Sequence, residues 1–125
     1  MKLIVVILVV VSGSYAQTMS PSAEKWFEDK VHPFLSKCIC ASGADEAVVL
    51  EWLNSQKFPN NACLKCFIKC ILISSDLIYG DGTVNYLTRR SPEISIVRIK
   101  SCDNQTVYET DLCQRAYDID KCIRM

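Results

Sequence analysis

The sequence predicts an all-α fold of five to six short helices cross-linked by disulfides. Three observations carry that expectation. Apolar residues recur at helical spacing along most of the chain. Eight cysteines fall within only 125 residues. The chain also opens with a secretory signal, which directs those cysteines to an oxidising compartment.

The signal is Met1-Lys2, a positive start, then an unbroken apolar run from Leu3 to Val11, then Ser12-Gly13-Ser14-Tyr15-Ala16 with small residues at 14 and 16. Cleavage is expected after Ala16, with a cut after Gly13 as the weaker alternative. The apolar run is about half of what a bilayer crossing needs. No later stretch is long or apolar enough to span a membrane. The expected arrangement is a signal peptide over 1–16 and a single secreted, extracellular domain over 17–125.

Ser20-Pro21 reads as a cap followed by proline in the first helical turn. Phe27, Val31, Phe34, Leu35 and Cys38 then fall at i, i+4, i+7, i+8 and i+11, one helical stripe. Pro33 should kink or split this helix, and Gly43 suits its C-terminal cap. A second helix should start at Asp45 and run through Ala47, Val48, Leu50, Glu51 and Leu53. Lys57-Phe58-Pro59-Asn60-Asn61 is a connector, with Asn60 or Asn61 as the next cap.

The third helix, from about Ala62 to Ile73, carries two stripes: Cys63, Cys66, Phe67, Cys70 and Ile71, and Leu64, Ile68 and Leu72. A helix apolar nearly all round is buried on more than one side, so this one should be central. Gly80-Asp81-Gly82 is a turn, and Thr83 to Arg90 a candidate short fourth helix. Ser91-Pro92-Glu93 is another start signal. Ile94 to Ile99 is β-branched and partly alternating, as in a strand. The start signal and the helical neighbours favour helix there. Asp103-Asn104-Gln105-Thr106 reads as a loop. The last helix carries Leu112, Ala116, Ile119 and Ile123.

Composition excludes several function classes. Fourteen basic residues balance fourteen acidic ones, so the basic excess of a phosphate-neutralising nucleic-acid binder is missing. A single histidine rules out histidine-rich metal sites, and no nucleophile–base pair suggests an enzyme. Cys63-x2-Cys66 has zinc-ligand spacing, but secretion oxidises thiols and no histidine lies nearby in sequence. No metal and no cofactor are expected.

Helix residues are about 100° apart, which puts Cys63, Cys66 and Cys70 within roughly 60° on one face of the central helix. They can tie that helix to several neighbours but not usefully to one another. Cys113 and Cys122, nine residues apart, lie on opposite sides of the last helix and must reach different partners.

Here the chain resembles the insect odorant-binding proteins, of the pheromone-binding and general-odorant-binding type. The resemblance rests on Cys66-Phe-Ile-Lys-Cys70, then Cys102, then Cys113 and Cys122 with eight residues between them. The text around Lys57-Phe58-Pro59 and from Asp111 to Cys122 is similar too, so the resemblance covers the mature chain nearly end to end. The first cysteine of the pattern is Cys38 or Cys40. Cys38 is favoured because Gly43 then sits five residues on. The family's bridging order implies Cys38–Cys70, Cys66–Cys113 and Cys102–Cys122. Cys40 and Cys63 are extra to the pattern and by elimination are expected to form a fourth bridge. The competing arrangement is Cys40–Cys70 with Cys38–Cys63.

The resemblance further implies helices wrapped around an internal apolar cavity that reversibly holds small hydrophobic molecules such as odorants or pheromones. Candidate ligand contacts are Phe27, Phe34, Val48 and Trp52, then Phe67, Leu72, Leu87 and Val97, then Tyr108, Leu112 and Tyr117. Phe67, Leu72 and Leu112 lead because bridges would hold their helices. Tyr108 and Tyr117 are placed to offer a hydroxyl. An apolar residue on such a stripe is more often plain core than ligand wall, and each tyrosine is as readily a surface or capping residue. The implied partners are a small hydrophobic ligand and a chemosensory receptor, with the chain a monomer or weak homodimer. Only Ile123-Arg124-Met125 follow Cys122 in the given sequence, a departure from longer-tailed relatives that puts a tail-driven, pH-triggered release in doubt. His32 is the one side chain with an unperturbed pKa between 5 and 8, and a solvated histidine is the plainer reading. Asn104-Gln105-Thr106 is a glycosylation sequon.

Three other classes of secreted protein share parts of this pattern. A secreted phospholipase A2 needs a His–Asp pair and a calcium loop, but His32 precedes Pro33 and no glycine-rich loop is visible. A saposin-like membrane-active protein is also helical and bridged, yet the cysteine spacings do not fit it. A secreted carrier or scavenger outside olfaction shares every residue-level signal and stays open.

Overall fold

The computed structural model describes residues 31–87 and 95–124. The signal segment, the Ser20-Pro21 cap, Phe27 and the Ser91-Pro92-Glu93 start signal lie outside those residues. Five α-helices make up the described part, with one isolated antiparallel bridge between Ile78 and Val84.

Pro33 sits in a 3-10 turn, His32–Phe34, which leads directly into α1 (Leu35–Ser42). Gly43 ends α1 in the left-handed region at φ 69° and returns its N–H to the Ile39 carbonyl at 3.0 Å. A side chain would be strained there, which is why glycine follows the last turn. α2 (Glu46–Ser55) starts where Asp45 accepts the Ala47 N–H at 2.8 Å. α3 (Ala62–Ser74) starts where Asn61, rather than Asn60, accepts the Leu64 N–H at 2.9 Å. Both caps satisfy first-turn donors that have no partner within the helix.

After α3 the chain departs from the expected short helix. Residues 83–87 are not helical: Tyr79 N–H donates to the Thr83 carbonyl at 2.8 Å, and Asp81 accepts both the Thr83 N–H and its hydroxyl. Aspartate and glycine at the turn offer the backbone a tight reversal, and that local bonding outweighs the weak helical signal.

α4 (Ile96–Thr106) starts at Ser95, which accepts the Arg98 N–H at 3.1 Å. The β-branched run is therefore helical from Ile96 on. So is the expected loop at 103–106, where Thr106 donates to the Cys102 carbonyl at 3.0 Å. Ile99, Cys102 and Thr106 are buried at i, i+3 and i+7, so one face holds these polar residues in the helix. The Asn104 sequon thus lies in the last turn of α4 rather than in a loop. α5 (Leu112–Arg124) follows a cap by Asp111, which accepts from Cys113 and Gln114.

α3 is central. Leu64, Phe67, Ile68 and Ile71 are at most 1% exposed, and the helix packs against α5 on one side and α1 on another. α4 packs on the far side of α5. Burying these side chains is the main favourable term, at roughly 25 cal/mol per Å² of apolar surface.

Three disulfides clamp this arrangement: Cys38–Cys70 joins α1 to α3, Cys66–Cys113 joins α3 to α5, and Cys102–Cys122 joins α4 to α5. The fourth bridge is not formed. Cys40 and Cys63 are free thiols and both exposed. Cys40 stands about 200° round α1 from Cys38, so with Cys38 turned onto α3 it faces outward.

Candidate functional site

The candidate ligand contacts separate sharply on burial. Trp52 of α2, Phe67 and Leu72 of α3 and Tyr117 of α5 are buried and belong to one apolar cluster. Phe34 and Val48 are half-buried and pack on its edge. Leu112 is half-buried at the start of α5, next to Gly82 of the reverse turn. Leu87, Val97 and Tyr108 do not join them: they are 93%, 75% and 89% exposed. Leu87 follows the reverse turn rather than lying in a helix, so no buried face claims it. Val97 is in the first turn of α4, on the face opposite Ile99, and Tyr108 lies beyond that helix's end. Phe27 lies outside the described residues.

The cluster has an aromatic centre. Trp52 and Phe67 meet edge to face with ring centroids 5.6 Å apart, and Phe58 meets Tyr117 the same way at 5.7 Å. The Tyr117 hydroxyl donates to the Phe58 carbonyl. That bond fixes the α2–α3 connector on α5 and occupies the hydroxyl within the protein. Lys65 lies over the other part of the Tyr117 ring at 5.2 Å and bonds Asn60 and Gln114.

Two polar groups pierce the apolar cluster, and both come from α5. Asp120 is buried and accepts the Trp52 indole N–H at 2.9 Å. Arg124, one turn on, reaches the same carboxylate at 3.4 Å and stacks over Trp52 at 4.8 Å and Phe58 at 5.6 Å. Burial pushes the Asp120 carboxyl above its ordinary range, while the Arg124 charge and the two hydrogen bonds pull it down less strongly. On the other side Arg115, 7% exposed, donates to Asp103 of α4 at 2.9 Å, and Tyr86 donates to the second oxygen of that carboxylate at 2.6 Å. This trio closes the reverse turn over α4 and α5.

Sequence reasoning passed over these polar residues. The signal was present. Arg115 and Asp120 fall at i+3 and i+8 from Leu112, on or beside the stripe of Leu112, Ala116, Ile119 and Ile123. A charge on an apolar stripe either spoils the helix or finds a buried partner.

His32 is exposed and lies apart from both polar groups. Among the described residues no group of three or more histidine, cysteine, aspartate or glutamate side chains is placed to hold a metal. No helix among them is long and apolar enough to cross a membrane.

Fold and site together define a small, disulfide-clamped helical protein with an aromatic interior. The chain matches the model of the PBP/GOBP family over residues 21–125 and belongs to that family of insect odorant- and pheromone-binding proteins. No curated protein and no solved structure matches it significantly.

Proposed function

We propose that the protein is a secreted carrier that reversibly binds small hydrophobic molecules, odorants or pheromones, in a cavity between its helices. The family is one of carriers rather than enzymes. The observation that carries the reading is the aromatic centre of Trp52, Phe67, Phe58 and Tyr117, contributed by three helices and the α2–α3 connector, with α3 and α5 bridged to each other. Such an interior offers an apolar ligand edges and faces from several directions. Phe34 and Val48 are half-buried on the edge of that cluster and would flank an entering ligand. Binding would be driven by apolar burial, less the costs of association.

A carrier of the same chemistry acting outside olfaction binds in the same way. Tissue expression separates the two. A membrane-active role would use the exposed Leu87, Val97 and Tyr108 instead.

The test is titration of the oxidised, refolded protein with a fluorescent apolar probe, followed by displacement with a panel of volatiles. Saturable 1:1 binding and displacement, without leakage from liposomes, supports the carrier. Leakage with no probe binding would favour the membrane-active role.

A further inference from the structure

We propose that Trp52, Phe58 and Asp120 form a binding site for a small organic ammonium, and that Arg124 occupies this site from within the chain. The inference goes beyond the carrier reading and does not depend on it.

Asp120 is buried to 9% exposure in the middle of an apolar face. A carboxylate in such a place requires a cation or a proton. Arg124 supplies the cation, but loosely. Its contact to Asp120 is 3.4 Å, against about 2.7–2.9 Å for a good charge-assisted hydrogen bond. Its side chain stays 22% exposed, so the guanidinium sits at the rim.

Both hydrogen bonds to this carboxylate, from the Trp52 indole and from Arg124, fall on Oδ2. Among the described residues Oδ1 accepts none, and it is not sealed from solvent. This oxygen is therefore open to a donor that arrives from outside the chain.

The remaining walls are the faces of Trp52 and Phe58, on which the Arg124 guanidinium now lies. A carboxylate beside two aromatic faces is the recognition chemistry of an organic cation. A primary ammonium adds what arginine lacks here. It is compact and carries three donors on one nitrogen, so it can reach Oδ1 while its carbon stem lies along the rings. A neutral alcohol of the same length has no charge for either element to recognise. The ligand class is a protonated alkylamine or arylalkylamine.

The experiment uses the mature oxidised chain and its Arg124→Met variant, which keeps a stem over Trp52 and removes the charge. The probe is n-butylammonium chloride. Sodium chloride and 1-butanol are the controls. The readout is the indole N–H resonance of Trp52, assigned with a Trp26→Phe variant, together with Tm.

In Arg124→Met, n-butylammonium should shift the Trp52 resonance saturably and raise Tm, at a concentration about tenfold or more below that needed in the wild type. Sodium chloride should give no response, 1-butanol should give a weaker one that Asp120→Asn leaves unchanged, and Asp120→Asn in the Arg124→Met background should abolish the preference for the ammonium. Equal response in wild type and Arg124→Met would overturn the proposal, as would a response to sodium chloride, a 1-butanol response as strong as that to n-butylammonium, or an ammonium preference that survives Asp120→Asn. If Arg124→Met does not fold, the wild type decides: saturable displacement at high n-butylammonium alone supports the site, and its absence refutes it. A wild type that binds apolar probes while failing this test leaves the carrier reading intact.

Discussion

Removing the bridge between α3 and α5 should cost more than removing either of the other two. Cys66 and Cys113 are 47 residues apart in sequence, against 32 for Cys38–Cys70 and 20 for Cys102–Cys122. In the chain-entropy account a cross-link destabilises the unfolded chain in proportion to the logarithm of the loop it closes. That gives about 4 kcal/mol for Cys66–Cys113, about 3.7 for Cys38–Cys70 and about 3.3 for Cys102–Cys122 at 25 °C. Cys66 and Cys113 are half-buried, so a double alanine variant opens little space in the core and isolates the cross-link. For a domain of this size about 4 kcal/mol corresponds to a fall in Tm on the order of 15 °C. Urea unfolding of the Cys66→Ala/Cys113→Ala protein measures it directly. The denaturant slope should rise as well, because the unfolded chain becomes less compact. A loss below about 1 kcal/mol with an unchanged slope would refute the reasoning. It would mean that packing of α3 on α5 holds the two helices together without the bridge.

Two further predictions follow from the polar groups and the turn. The folded Asp120 carboxyl lies above its ordinary value of 3.8 because burial outweighs its partners. The folded state therefore binds more protons than the unfolded one between 3.8 and that raised value, and the stability from this group is full below 3.8 and lost as pH rises through the window. The unfolding free energy of the wild type minus that of Asp120→Asn should grow as pH falls from 7 toward 4; a difference that shrinks contradicts the assignment. At the reverse turn, Gly82 has φ 89° and an added Cβ would come within 2.9 Å of the Leu112 side chain. Gly82→Ala should cost about 1–3 kcal/mol in urea unfolding, and a neutral result would show that the turn can shift off α5.

Periodicity and capping chemistry were legible where they acted locally. Asp45, Asn61 and Gly43 mark helix ends in the sequence and mark them in the structure. The central position of α3 followed from its two apolar stripes. Its role as the hub of two bridges rested on cysteine spacing and family resemblance together. The misplacements share a cause: the deciding partner is distant in sequence. Asp103 looks like a loop residue until Arg115 and Tyr86 are beside it. Asp120, beside the apolar stripe of α5, shows no partner in its own stretch of sequence; Trp52 donates to it from 68 residues away. The fourth bridge failed for a geometric reason, since two cysteines two residues apart on α1 cannot both face α3. The burial of Phe67 and Leu72 was legible because bulky apolar residues on such a stripe have nowhere else to go. Leu87, Val97 and Tyr108 are equally apolar, and only the placement of their helices and turns shows that they point outward.

The central claim is that an apolar ligand enters the interior beside Trp52. Trp26→Phe leaves Trp52 as the single tryptophan of a chain that has two. Energy transfer from Trp52 to a bound fluorescent probe such as N-phenyl-1-naphthylamine falls steeply with their separation and is near complete only for a probe held beside Trp52. The account predicts strong, saturable quenching of Trp52 emission at one probe per chain, reversed by an apolar volatile and lost when the bridges are reduced. Probe fluorescence that rises without quenching Trp52, or that never saturates, would place binding on the surface and contradict the account.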